Sequence, residues 1–214
     1  MKKYCFIHSC NLPINKLNNL NYLIERIINS KLIDELEEIF IYNIGIPINN
    51  NPYNNKKINI TNYSNNLYLF ENPTINKIKS FSENNPDCYI LYLHTKGIIY
   101  DQTTLFYSKI NDWIELMIHF LIDKYQITFD KFNENYDTTG CNLNDDKSNP
   151  KHYSGNFWWS KSNYIKTLPY VNEINANKMT PEFWLLQNIN VNCYVLHNSN
   201  IDHYIENYPK NLYA

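Results

Sequence analysis

Glycine is scarce, with four in 214 residues. That leaves little material for a phosphate-cradling loop, and no G-x-x-x-x-G-K-[ST], G-x-G-x-x-G or G-x-S-x-G run occurs. P-loop nucleotidases, classical dinucleotide binders and serine hydrolases are therefore disfavoured. No apolar run approaches the roughly 18 residues of a spanning helix, so no membrane span is expected. The start, MKKYCFIHSCNLP, has too short an apolar stretch for a signal-peptide core, which points to a soluble, cytoplasmic protein. Neither sign of charge dominates. A net charge of -2 and a pI near 6.3 provide no basic stripe for a phosphate backbone, so no nucleic acid is expected as partner. The five cysteines are scattered, odd in number and free of C-x-x-C pairs, which argues against a disulfide framework and a zinc ribbon.

Asparagine is abundant, at roughly one residue in six, alongside much Ile, Lys and Tyr. This is the mark of an AT-rich coding sequence, and it weakens propensity arguments at the surface. Hydrophobic patterning is more informative. Strands are expected over 3–9, 38–43, 57–61, 88–93, 136–141 and 192–196. Helices are expected near 20–28, over 73–82 and over 106–121, with short ones over 162–168 and 181–187. Strands alternating with helices imply an α/β fold, a mostly parallel central sheet with helices on both faces, in a single domain over 1–214.

Two segments carry more chemistry than packing asks for. Residues 89–98, YILYLHTKGI, form an apolar run ending abruptly in His94, Thr95, Lys96 and Gly97. At the carboxyl end of a central strand these offer a donor, a point charge and a close backbone approach, which suits a diphosphate. A solvated Lys96 beside a simple turn at Gly97 fits the same letters. Residues 152–159, HYSGNFWW, crowd His152, Ser154, Gly155, Asn156, Trp158 and Trp159 together. Adjacent strand residues face opposite ways, so one indole can fill core while the other lines a cleft and stacks on a sugar ring. Two core indoles beside a tight turn is the plainer alternative. Lys96, the indoles and Asn156 are expected to border one hollow.

Other candidates are less specific. His8 and Ser9 end the first strand, where a base or ribose could bond, or where a structural His could sit. Glu182 follows Pro181 at a helix start; it either complements the helix dipole or deprotonates a hydroxyl nucleophile. His197, Asp202 and His203 cluster in sequence without metal-ligand spacing, and no metal ligand is assigned.

Taken in order, YLHTKG, the Trp113 helix, YDTTGCN, HYSGNFWW, Leu168-Pro169 and Glu182-Phe183-Trp184 resemble glycosyltransferase-like proteins of bacterial polysaccharide clusters and giant DNA viruses. The resemblance spans about residues 85–185. It implies a GT-A-like domain with a nucleotide-sugar-binding half near 1–100 and an acceptor half near 101–214, located in the host cytoplasm if viral. It further implies a UDP- or GDP-sugar donor at His8, Ser9, His94, Thr95, Lys96 and Gly97. A glycan or protein acceptor would meet the HYSGNFWW segment, with Glu182 as the base of an inverting enzyme. The sequence departs from such proteins where Asp-x-Asp would hold a divalent metal. Either Lys96 and His94 replace the metal's charge, or ligands lie elsewhere, for example at Asp101, Asp145 or His197. A non-catalytic carbohydrate-binding protein and a nucleotide-sugar hydrolase are the alternative readings.

Overall fold

The computed structural model describes residues 1–14, 17–147 and 149–214. In chain order its elements begin with β1 (Lys2–Asn11), α1 (Asn18–Asn29), α2 (Leu32–Glu35), β2 (Glu38–Gly45), β3 (Ile58–Ser64), α3 (Asn72–Asn84) and β4 (Cys88–His94). There follow α4 (Leu105–Ile118), a π-helical turn (His119–Asp123), α5 (Tyr125–Asn133), β5 (Thr138–Cys141), β6 (Leu143–Asn144), β7 (His152–Tyr153) and β8 (Trp158–Lys161). The last are α6 (Ser162–Ile165), α7 (Thr180–Trp184) and β9 (Cys193–His197).

Seven strands form one sheet in the order β3-β2-β1-β4-β8-β5-β9, and β6 pairs with β7 apart from it. All pairings in the large sheet are parallel except those of β8, which runs against both β4 and β5. The mostly parallel α/β sheet expected from the alternation of elements is what forms.

Period-two alternation assigns each strand residue to one of two cores. Cys5, Ile7, Leu91 and Leu93 pack with Leu20 and Ile24 of α1, Ile110 and Ile114 of α4 and Phe132 of α5. Tyr4, Phe6, Ile90 and Tyr92 pack on the other face with Ile75 and Ile78 of α3, Ile165 of α6 and Trp184 of α7. The interior strands are thus apolar on both faces, which is why β1 and β4 read as near-continuous hydrophobic runs.

The same rule overturns one expectation. Trp158 and Trp159 do point to opposite faces, but β8 lies between β4 and β5, and both indoles are 0 % exposed. Each has its N–H satisfied: Trp158 Nε1 donates to Asn156 Oδ1 at 3.0 Å and Trp159 Nε1 to the Leu121 carbonyl at 2.8 Å. Neither has a face to offer a sugar.

The helix expected over 106–121 also divides. Its apolar stripe continues past Ile118, yet the backbone widens into the π turn, and Lys124 N–H donates to His119 O at 2.9 Å. Arg26 of α1 clamps this junction, donating to Glu115 at 2.8 Å and to Asp123.

Gly140 shows how tightly β5 is built. A Cβ there would lie 2.3 Å from Tyr153 Cγ, and that ring is buried and held through its hydroxyl, which donates to the Tyr194 carbonyl and shares a hydrogen bond with the Thr138 hydroxyl. Gly140→Ala should therefore cost about 3 kcal/mol of unfolding free energy in urea titrations, the upper range for overpacking. An unchanged midpoint would mean that the ring yields freely.

Candidate functional site

From β1 the chain winds outward through β2 and β3, then returns to place β4 on the other side of β1. The carboxyl ends of β1 and β4 therefore flank the point where the winding reverses, the position at which open α/β sheets leave a crevice. A cavity of about 330 Å³ opens there. His8, Cys10, Glu71, His94, Thr95, Lys96, Gly97, Gly155, Asn156, Lys178, Glu182 and Tyr204 all border it, with an apolar wing of Leu12, Ile44, Leu67 and Phe70.

Lys96 supplies the central charge. Its Nζ sits 3.6 Å from the centroid of the Trp113 ring, a cation–π contact that aims the ammonium, and among the described residues it has no ion-pair partner. Burial lowers its pKa to about 8, against the pull of Glu182 and Glu71, so the group remains mostly protonated at pH 7. Its backbone is fixed as well. Asn19 Nδ2 donates to the Lys96 carbonyl at 2.7 Å, and Gln102 Nε2 donates to Asn19 Oδ1 at 2.7 Å. Gly97 turns the chain at φ 76° where a Cβ would meet Ile110 at 2.8 Å, a position that requires glycine.

The histidines do not share that charge. His94 Nε2 donates to the Gly155 carbonyl at 3.0 Å, which leaves Nδ1 as the acceptor of the neutral ring, 3.6 Å from Glu71 Oε1. Burial, then the Lys96 charge, holds His94 down to about 3. His8, bonded through Nδ1 to Thr74 Oγ1 at 2.9 Å, is held to about 3 by burial. The expectation that His94 shares a metal-replacing charge with Lys96 is thereby corrected: the ring is neutral at pH 7, and the cationic side chains bordering the crevice are Lys96 and Lys178.

Glu71 was not singled out by its sequence, because a carboxylate just before the Asn72-Pro73 helix start reads as a dipole complement. In the structure it borders the crevice, and burial, assisted by the Glu182 charge, raises its pKa to about 6. Glu182 borders the same crevice. Its Oε1 accepts from Gly155 N–H at 3.1 Å, and Oε2 accepts no hydrogen bond from a described residue. One oxygen is oriented and the other is available.

Gly155 and Asn156 bring the HYSGNFWW segment to the cavity. Gly155 adopts φ 95° and a Cβ there would meet Met117 Sδ at 2.6 Å; Asn156 follows at φ 57°. Asn156 Oδ1 is used by Trp158, while Nδ2 donates to no described residue. Other candidate residues are engaged elsewhere. Thr95 borders the crevice but its Oγ1 accepts from Cys10 N–H at 3.0 Å, clipping β4 to β1. Ser9 does not border the crevice, and its buried hydroxyl has no hydrogen-bond partner among the described residues. His152 does not reach the crevice; its Nδ1 donates to the Pro150 carbonyl at 2.7 Å and its ring meets Phe183 edge-on. Ser154 is likewise not among the lining residues, and its backbone N–H donates to Asn142 O.

The alternative metal ligands lie apart. Asp101 accepts from Thr103, Asp145 pairs with Lys151 at 3.8 Å and His197 bonds the Tyr208 hydroxyl, and none of the three borders the crevice. Among the described residues no group of three or more His, Cys, Asp or Glu side chains is arranged to hold a metal ion. At the end of β4, where Asp-x-Asp would present carboxylates, the crevice presents a protonated ammonium that would repel a divalent cation. The residues present do not fit a metal there.

Among the described residues no helix is long and apolar enough to cross a membrane. A family described as a domain of unknown function, DUF8361, matches residues 18–209. No curated protein matches the chain.

Proposed function

Since the chain belongs to the DUF8361 family, whose function is unknown, its activity has to be read from the crevice itself, and we propose a GT-A-like glycosyltransferase that transfers a sugar from a nucleotide-sugar donor to an acceptor hydroxyl. The observation that carries this reading is the presence of the Lys96 ammonium and the half-free Glu182 carboxylate in one crevice at the carboxyl ends of β1 and β4. A UDP- or GDP-sugar places its diphosphate against Lys96, which stabilises the negative charge that develops as the C1–O bond to the diphosphate breaks. The acceptor oxygen forms the new bond to C1, and its proton passes to Glu182 Oε2. The nucleoside diphosphate leaves. A carboxylate acting as base on the incoming hydroxyl implies inversion at C1.

The electrostatics set a pH window for donor binding. Glu71 sheds its repulsive charge below about pH 6, and Lys96 loses its attractive charge above about pH 8. Binding of the diphosphate should therefore weaken above about pH 8.

The test is a panel of UDP- and GDP-sugars, with and without manganese, followed by thermal shift and product analysis. A donor at about 100 times its dissociation constant adds about 2.7 kcal/mol of stability. The expected result is stabilisation by one donor without added manganese, and release of nucleoside diphosphate that rises with acceptor. Free sugar released in the presence of excess acceptor would make the same residues a nucleotide-sugar hydrolase. Stabilisation by no donor would remove the reading.

A further inference from the structure

The indoles expected to hold a sugar are sealed in the two cores, yet the crevice does have an aromatic wall. Phe70, Tyr100 and Tyr204 border it, and Tyr204 is the most open of them at 48 % exposure. Its ring is well supported. It meets Trp113, the platform of Lys96, edge-on at 5.4 Å and stacks on Phe106 at 6.4 Å and 18°, while Tyr100 meets Phe106 edge-on at 4.9 Å. Trp113 is itself stacked on His203 at 5.1 Å and 7°, so the residue before Tyr204 is anchored in the interior. A backed, half-exposed ring at the mouth of a polar cavity offers an apolar face on which a flat ligand can lie.

We propose that Tyr204 is the platform on which the sugar ring of a glycan acceptor stacks, with Asn156 Nδ2 and Glu182 Oε2 reaching the hydroxyls at that ring's edge. The chemistry of the wall and of the floor selects this ligand together. A pyranose offers C–H bonds on its face and hydroxyls around its rim, and the crevice offers an aromatic face beside one unspent amide donor and one unspent carboxylate oxygen. A purely apolar acceptor would strip water from Glu182, Lys96 and Lys178 and return no hydrogen bond. Naming the bound sugar an acceptor rests on the transfer reading above; that a sugar binds at Tyr204 does not.

Saturation-transfer NMR with methyl glucoside, galactoside, mannoside and N-acetylglucosaminide, on the full chain without nucleotide, tests the proposal. At least one glycoside should bind, with saturation strongest on its ring C–H protons. Tyr204→Ala should weaken it about tenfold, the scale of one lost aromatic contact, and Tyr204→Phe should keep affinity within about twofold. Binding of no glycoside, or equal binding by Tyr204→Ala with its thermal stability intact, would overturn the proposal. The two readings fail separately. Glycoside binding through Tyr204 without any nucleotide-sugar binding keeps the platform and removes transfer; donor turnover with glycosides never bound keeps transfer and removes the platform.

Discussion

Glu182→Gln should lower the transfer rate by about two to four orders of magnitude while leaving donor affinity within a few fold, since general-base removal costs that much and the diphosphate is bound elsewhere. The substitution is conservative in the respect that matters for folding. The amide oxygen of Gln can still accept from Gly155 N–H, so the loop that presents Asn156 keeps its anchor. What disappears is a proton acceptor at Oε2. Single-turnover kinetics with saturating donor separates the two effects, because binding and chemistry are then read as different phases. A rate unchanged by the substitution would take Glu182 out of the mechanism and leave it as a structural partner of Gly155.

Acid should destabilise the protein. His8, His94 and His203 are held by burial to about 3, 3 and 4, whereas an exposed imidazole takes its proton near 6.5. Between those values the unfolded chain binds protons that the folded one refuses, so stability is complete above about pH 6.5 and is lost as pH falls. Each histidine contributes a slope of up to about 1.4 kcal/mol per pH unit. Glu71 works in the opposite sense. Its folded pKa of about 6 lies above its ordinary value, so its contribution is fully present below about 4.5 and is lost as pH rises through 6. For these four groups, three protons against one leave a slope of roughly two, about 3 kcal/mol per pH unit between pH 6 and 4.5. Against a typical stability of about 5–15 kcal/mol, the loss of about 4 kcal/mol between pH 6 and 4.5 is a large fraction of the total. Urea midpoints measured from pH 7 to 4.5 check this, and His203→Asn should reduce the slope by about one proton. A flat profile would mean that these rings are hydrated.

Much of this was legible in the sequence, for reasons that can be named. β1 and β4 are buried on both faces, so their apolar runs stand out even in an Asn-rich chain, and the switch to His94-Thr95-Lys96-Gly97 marks where β4 leaves the core. The reversed direction of β8 was not legible. Four residues, Trp158 to Lys161, look the same whichever way the strand runs, and a pair of indoles that fills two cores at once has the composition of a binding cleft. The break at the π turn was hidden because apolar side chains continue through it. Within the site, a strand end announces itself, but partners brought from afar do not. Glu71 is 25 residues before Lys96 and Tyr204 is 108 after it, and each sits in a local context that a helix start or a surface loop would equally explain. Trp113 was readable as a core residue of α4, which it is; that its ring also carries the Lys96 ammonium depends on the path of the chain between β4 and α4.

Isothermal titration of the stabilising nucleotide sugar into the natural chain and into Lys96→Met, at pH 7 and pH 9, tests the central claim that this half-buried ammonium holds the donor diphosphate. The account expects Lys96→Met to bind about 10- to 100-fold more weakly at pH 7, the worth of a charged hydrogen bond in a crevice. The natural chain should lose affinity at pH 9 and the variant should not respond. Equal affinity of the two proteins at pH 7, with the variant folded, would contradict it.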